Sequence, residues 1–266
     1  MPPVYHGARV PDPCRRPLSQ PLSVVPVGAG AAFGLPDQAQ SSYLVRAGGS
    51  AVCLDMGSGT LNRLAAILPP ESLDLVVISH LHPDHLSDLL ALRVYMAHGP
   101  GLGHDLDIIG PPDLRCRLDV LSAGESWGGV RFHDLPAGGG ERIVGDLLIR
   151  HTEVPHLPPT HAIRVEHDGK AITYGADCAA NDALPALADG SDVLLLECTF
   201  GTGAIPDGVP HLNARAAGDM ASRAGAGRLI LVHGYPGIDI GGSVSEAANA
   251  FGGPVEWACE GRLVVA

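Results

Sequence analysis

Four side chains able to ligate a divalent cation fall within the short run His80-Leu81-His82-Pro83-Asp84-His85. Imidazole nitrogens and carboxylate oxygens suit zinc and similar ions, and a metal site needs several of them converging from a rigid support. The apolar run Leu75-Val76-Val77-Ile78 just upstream reads as a strand whose end supplies that support. Extended backbone sends His80 and His82 to one side. Pro83 then breaks the strand, so that Asp84 and His85 open the next helix and bring a second set of ligands to the same point. A solitary histidine is usually an ordinary core or surface residue, but four ligand types in one HxHxDH run point to metal binding.

This run resembles the HxHxDH signature of the metallo-β-lactamase superfamily, with His80, His82, Asp84 and His85 at its ligand positions. The likeness continues in the family's order from about Leu22 to the C-terminus. It implies an α/β fold, a four-layer αββα sandwich with a two-metal site at one edge of the sheets. In Thr152-Glu153-Val154-Pro155-His156, His156 stands where the family has its third histidine. His151 and His161 are rivals, but they fall inside or at the start of strands, whereas His156 lies in the loop before one. Tyr174-Gly175-Ala176-Asp177-Cys178 resembles the strand-end YxGDT element, which makes Asp177 the bridging carboxylate; Ala176 and Cys178 replace the usual Gly and Thr. His233, closing the apolar run Leu229-Ile230-Leu231-Val232, matches the family's last ligand and is followed by an unusual but permissive Gly234.

The resemblance therefore implies two divalent ions, zinc expected and manganese the main rival. One would take His80, His82, His156 and Asp177, and the other Asp84, His85, His233 and Asp177. Two ions about 3.5 to 4 Å apart lower the pKa of a shared water to about 7, giving hydroxide as the nucleophile. Asp84 would also accept a hydrogen bond from that water and aim it. Asp55, in Leu54-Asp55-Met56-Gly57, resembles the carboxylate that backs the family's ligands, although an Asp ahead of a turn glycine explains it nearly as well.

His82 occupies a position where the superfamily's redox di-iron branch has a carboxylate, so hydrolysis is expected. Glu197-Cys198-Thr199-Phe200 and His211-Leu212-Asn213-Ala214 resemble the ETF and HxxxxA elements of the ribonuclease Z-like branch. That likeness implies a catalytic His211 reaching the scissile phosphate or leaving oxygen, with Glu197 setting its tautomer and charge. A helix-flanking surface histidine is the alternative. True ribonuclease Z carries a long arm between the third histidine and the bridging aspartate. Here that interval holds only a hairpin, 162–166 and 171–175, around Asp168-Gly169. The short ribonuclease Z-like phosphodiesterases of cyclic nucleotides and related small diesters are the nearer likeness. Other hydrolases of the superfamily (lactonase, sulfatase, β-lactamase) and a catalytically idle metal-binding protein are the competing readings.

Composition agrees. Seventeen basic against 29 acidic residues give a net charge of −12, which repels polyanions and argues against a partner of long nucleic acid. Six cysteines lie far apart with no CxxC pair, so reduced thiols and a cytoplasmic location are expected. Pro21 and Pro26 interrupt the uncharged stretch 17–36, so no membrane span is read there. Dimers are common in similar proteins, so the resemblance allows a homodimer.

The elements that must position these residues alternate along 266 positions with no linker-like break. The pattern predicts strands over 22–27, 42–46, 51–55 and 75–79, then 147–151, 162–166, 171–175, 193–197 and 228–232. Helices are predicted over 59–68, 84–98 and 213–224, and a flexible N-terminal arm over 1–20 ahead of one hydrolase domain, 21–266. Gly28, Gly30 and Gly34 imitate a dinucleotide-binding loop, but Pro36 and the polar residues after it do not open the helix such a loop requires.

Overall fold

Strands covered on both faces need apolar residues at every position rather than alternate ones, and the central runs of this chain have that character. The computed structural model describes residues 20–266; the greater part of the expected N-terminal arm lies outside the described residues. The first half runs β1 (Gln20–Gly28), β2 (Ser42–Gly48), β3 (Ser50–Leu54), α1 (Thr60–Ile67), β4 (Leu75–Val77), α2 (Pro83–Leu86), α3 (Leu89–His98), β5 (Asp105–Gly110), α4 (Leu114–Leu121) and β6 (Gly129–Asp134). The second runs β7 (Gly139–Val144), β8 (Leu147–Val154), β9 (Thr160–His167), β10 (Lys170–Tyr174), α5 (Ala183–Leu187), β11 (Val193–Glu197), α6 (Ala214–Arg223), β12 (Leu229–Val232), α7 (Ile240–Phe251), β13 (Val255–Trp257) and β14 (Val264–Val265).

Two seven-stranded sheets result, ordered β14-β1-β2-β3-β4-β5-β6 and β13-β12-β11-β10-β9-β8-β7. Their facing surfaces share one core that includes Val24, Tyr43, Val45, Leu54, Ile163, Val165, Ile172 and Leu195. The rings of Tyr43 and Tyr174 meet across it at 4.7 Å. The alternate residues turn outward. Val25, Leu44 and Val76 pack under Leu64 of α1, Leu92 and Met96 of α3 and Leu118 of α4, while Leu194, Leu196 and Leu231 pack under α5, α6 and α7 through Leu184, Met220 and Ala247. Helices thus cover both outer faces, giving the αββα sandwich. Burying a Val or Leu side chain in such a core stabilises the fold by about 1.5–3 kcal/mol.

The middle of each sheet is parallel: β3 pairs β4 and β4 pairs β5, while β10 pairs β11 and β11 pairs β12. Ligand sites in α/β folds form beyond the carboxyl ends of such strands, and here those ends open at one edge of the sandwich. The hairpin expected between His156 and Asp177 is present as β9 and β10, with Asp168 and Gly169 both at positive φ in its turn. No described helix is long and apolar enough to cross a membrane. Gly28 and Gly30 open no helix; Gly30 instead bridges to Gln40 and Gly234.

One helix differs from expectation. Instead of continuing over 84–98, the chain breaks into α2 and α3 at Ser87 and Asp88. The Asp88 N–H donates to the Met56 carbonyl at 3.0 Å rather than to its own helical partner. Its carboxylate accepts the Leu61 N–H at the start of α1, so the break ties two helices together beneath the HxHxDH run.

Candidate metal centre

Most of the residues singled out from sequence lie at strand ends. Asp55 follows β3, His80 follows β4, Asp177 follows β10, Glu197 ends β11 and His233 follows β12. His82 is the N-cap of α2, which carries Asp84 and His85. Asp55, Ala176 and His233 all adopt left-handed φ, at 59°, 53° and 54°. Non-glycine residues held in that region concentrate where function over-determines the backbone. The Ala176 conformation explains why the family has Gly there. At the other unusual position the strain falls on His233, while Gly234 provides room: a Cβ on it would come within 2.5 Å of the Trp257 ring.

Donor atoms from these segments converge in two main groups, and a third, made of Asp177, His211 and His233, overlaps them. His80, His82, His156 and Asp177 each offer an atom within 4.8 Å of the others, and so do Asp84, His85 and His233. In the first group, His82 Nδ1 lies 3.1 Å from His80 Nε2 and 3.4 Å from His156 Nε2. In the second, His233 Nε2 lies 3.1 Å and His85 Nε2 3.5 Å from Asp84 Oδ2. Asp177 stands between them, with Oδ2 3.9 Å from His80 Nε2 and 3.5 Å from His233 Nε2, and Oδ1 3.4 Å from His85 Nε2. Ligands bound at about 2.0–2.1 Å in tetrahedral array are spaced in this range. The rivals His151 and His161 instead face each other at 3.1 Å, apart from both groups.

The remaining ring nitrogens fix the direction of the lone pairs. His85 Nδ1–H donates to Asp55 Oδ2 at 2.7 Å, and His80 Nδ1–H donates to Ser79 Oγ at 3.0 Å. His156 Nδ1–H donates to the Pro210 carbonyl at 3.0 Å, and His233 Nδ1–H to Thr199 Oγ1 at 3.2 Å. All four therefore present Nε2 inward, as metal-binding histidines do when their other nitrogen is held. Among the described residues six buried side-chain polar atoms have no hydrogen-bond partner, and two of them, His85 Nε2 and Asp177 Oδ1, face each other in this centre at 3.4 Å. Buried polar atoms are rarely left so, and a cation between them supplies what both lack. The donor set fits divalent metal.

The charges fit as well. Burial, reinforced by neighbouring imidazoles, pushes His80, His82 and His156 below the ordinary imidazole range, so they stand neutral. Burial acts the same way on His85 and His233, but Asp177 beside both raises them. Burial opposes the charged form of Asp84, yet the His233 and His85 imidazoles against it hold its carboxyl well below the usual range.

Asp55 serves both readings its sequence allowed. Its backbone turns at positive φ, and its fully buried carboxylate accepts from Ser79 N, Ser79 Oγ, His85 Nδ1 and Tyr174 Oη at 2.7–2.8 Å. It orients His85 directly and His80 through Ser79. Asp55→Asn keeps the volume but loses the uniform acceptor, and it is expected to weaken metal affinity by about 10- to 100-fold, the usual scale for groups behind metal ligands. Competition with a chromophoric chelator measures this; an unchanged affinity would reduce Asp55 to a turn residue. Gly57 supports the same corner, since a Cβ there would meet the Asp84 carbonyl at 2.0 Å.

Glu197 is completely buried and accepts from Cys178 N, Leu212 N, Thr199 Oγ1 and His211 Nδ1 at 2.9, 2.9, 2.5 and 2.8 Å. The backbone N–H of Cys178 makes this contact, so replacing the family's Thr leaves it intact. His211 is partly exposed, 4.0 Å from Asp177 Oδ2. Burial would lower its pKa, but the Glu197 hydrogen bond and charge raise it above the ordinary value. Thr199 was not singled out from sequence as a site residue, although it lies inside the ETF element. Its hydroxyl donates to Glu197 and accepts from His233, joining the two halves of the site.

An αββα sandwich with a histidine–carboxylate metal centre at its strand ends defines a metallo-hydrolase of the metallo-β-lactamase fold. Residues 53–234 match the Beta-lactamase superfamily domain, and the chain belongs to that superfamily. The Bacillus subtilis (strain 168) protein described as "Probable metallo-hydrolase YhfI" is 29% identical over 245 residues, 90% of this chain and 98% of that one. Its crystal structure matches at a TM-score of 0.84 and 26% identity, over 93% of this chain and 100% of that one. Ribonuclease Z of Mycobacterium bovis (strain BCG / Pasteur 1173P2) is 30% identical over 268 residues, 88% of this chain and 95% of that one. Human tRNase Z, short form, shares the fold at a TM-score of 0.72 and 21% identity, over 91% of this chain and 98% of that one.

Proposed function

We propose that this chain is a phosphodiesterase of small diesters such as cyclic nucleotides, with two divalent ions, zinc favoured, at His80, His82, Asp84, His85, His156, Asp177 and His233. The observation that carries the reading is the Glu197–His211 pair, 2.8 Å apart at the border of the metal centre. A carboxyl or lactone hydrolase has little use for a second, cation-prone imidazole there, whereas displacement at phosphorus must both neutralise phosphoryl oxygens and protonate an alkoxide. Bound divalent ions supply Lewis acidity and a water acidic enough to act as nucleophile near neutral pH. The chain's own groups do the rest. Asp84 accepts a hydrogen bond from the attacking water and orients it, His211 offers its Nε2 proton or positive charge to the leaving oxygen, and Glu197 holds the other His211 proton on Nδ1.

The similarity to a ribonuclease Z favours a second reading, processing of precursor transfer RNA. The short β9–β10 hairpin in place of an arm and the charge of −12 favour small substrates over that one. Cys53, Cys116, Cys178, Cys198 and Cys259 are all free thiols, which supports a reduced protein in the cytoplasm. A panel of cyclic nucleotides, bis(4-nitrophenyl) phosphate, a lactone, a β-lactam, a sulfate ester and a transfer-RNA precursor tests the assignment. Turnover confined to the diesters is expected, and efficient precursor cleavage at physiological salt would overturn it.

A further inference from the structure

Aromatic residues are scarce in this chain, with four Phe, five Tyr and two Trp, yet three of them form a row leading away from His211. The Phe200 ring lies 6.4 Å from the His211 ring. Tyr235, two residues beyond His233, meets Phe200 edge-on at 5.8 Å and 79°. Phe33 then stacks on Tyr235 at 6.0 Å and 27°. Phe200 and Tyr235 are half-buried, but Phe33 is 57% exposed and adds little to any core.

The backbone places this row deliberately close to the centre. The Tyr235 N–H donates to the Thr199 carbonyl at 3.1 Å, and the His233 N–H to the Ala29 carbonyl at 2.8 Å. Gly30 bridges to Gly234, and the Gln40 side chain donates to the Ala32 carbonyl at 3.1 Å, fixing the loop that carries Phe33. The row is therefore continuous with the catalytic groups through two separate chain segments.

We propose that Phe33, Tyr235 and Phe200 form a base-stacking subsite, which receives the nucleobase of a nucleotide diester while its phosphate lies at His211. The proposal rests on the phosphodiesterase reading and narrows it, from any small diester to one bearing a purine or pyrimidine. Every nucleobase has a π-face, and stacking on exposed aromatic rings needs no base-specific hydrogen bond. A sugar- or alkyl-only diester offers such rings nothing. The acidic chain also favours a ligand with one phosphate and an uncharged flat base over a polyanion.

The test compares AMP with ribose 5-phosphate, bound to the metal-loaded protein and followed by isothermal titration calorimetry. Both carry the same phosphate and differ in the base. AMP is expected to bind about 5- to 150-fold more tightly, the range that base–aromatic stacking gives on alanine substitution. Phe33→Ala, at an exposed loop position, should lose much of that preference while leaving ribose 5-phosphate affinity unchanged, and Phe33→Tyr should keep it. Equal affinities for the two probes, no binding of either, or an unaltered preference in Phe33→Ala would overturn the subsite. A changed oligomeric state in Phe33→Ala with unaltered probe affinities would do so too, assigning the row to contact between copies of the chain. Hydrolysis of bis(4-nitrophenyl) phosphate separates the two readings. Its absence alongside an AMP preference sinks the phosphodiesterase and keeps the subsite, whereas its presence without a preference does the reverse.

Discussion

Asp177→Ala is expected to empty the centre of both ions and to lower kcat by about 10³-fold or more, since the electrostatic and Lewis-acid contributions vanish together. Asp177 stands toward both groups: one oxygen lies near His80 and His233, and the other is 3.4 Å from His85. Its removal also deprives His85 and His233 of the charge that raises their pKa values, leaving imidazoles with only Asp84 to organise a second ion. A single-histidine variant such as His156→Ala keeps three donors of its group and should retain more metal. Metal analysis after mild dialysis reads the difference, with about two ions per chain expected for the parent protein. Asp177→Asn preserves the side-chain volume and guards against a simple folding failure, which thermal unfolding detects. Retention of both ions in either variant, or full activity of the parent protein with one ion, would show that Asp177 does not bridge.

Much of this site was legible because its chemistry sits on parallel strand ends, where an apolar run stops and a polar residue starts. Leu75–Ile78 before His80 and Leu229–Val232 before His233 declare both the strand and its end, and both strands are fully buried. The helix 213–224 was legible for a similar reason: Asn213 caps it by accepting the Ala216 N–H at 3.0 Å. The elements not anticipated carry weaker local patterns. β6 and β7 are edge strands with many half-buried or exposed positions, so tertiary pairing rather than hydrophobic periodicity defines them. α7 begins Ile240-Gly241-Gly242, a poor helical start that the Asp239 cap and packing on α6 override. The roles of Ser79, Tyr174 and Thr199 stayed hidden because each acts through another side chain, contributed by a distant segment. Tyr174 reaches Asp55 across 119 positions of sequence, a relation that no local spacing encodes. The split at Asp88 was concealed likewise, since its partners Met56 and Leu61 lie outside the helical window.

His211→Ala is expected to leave both ions bound and lower kcat by about 10² to 10⁴, the scale of lost general-acid catalysis. His211 stands beside Asp177 and His233, but its Nδ1–H is committed to Glu197 and Glu197 is locked by three further donors, so the truncation removes one imidazole and keeps the seven assigned ligands. The loss should depend on the leaving group. A cyclic nucleotide expels an alkoxide that needs a proton, whereas bis(4-nitrophenyl) phosphate expels a stable phenolate, so the first substrate should suffer much more than the second. Glu197→Gln should give a weaker form of the same pattern, because it withdraws the charge that raises the His211 pKa while retaining an acceptor. Its Thr199 contact also leads to His233, so metal content must be measured in that variant before its rate is read. Equal losses for both leaving groups would remove the acid role and leave charge stabilisation of the phosphoryl oxygens. Undiminished turnover of every diester would make His211 a bystander, and the lactone, sulfate and β-lactam members of the substrate panel would then become the better guide to what this centre hydrolyses.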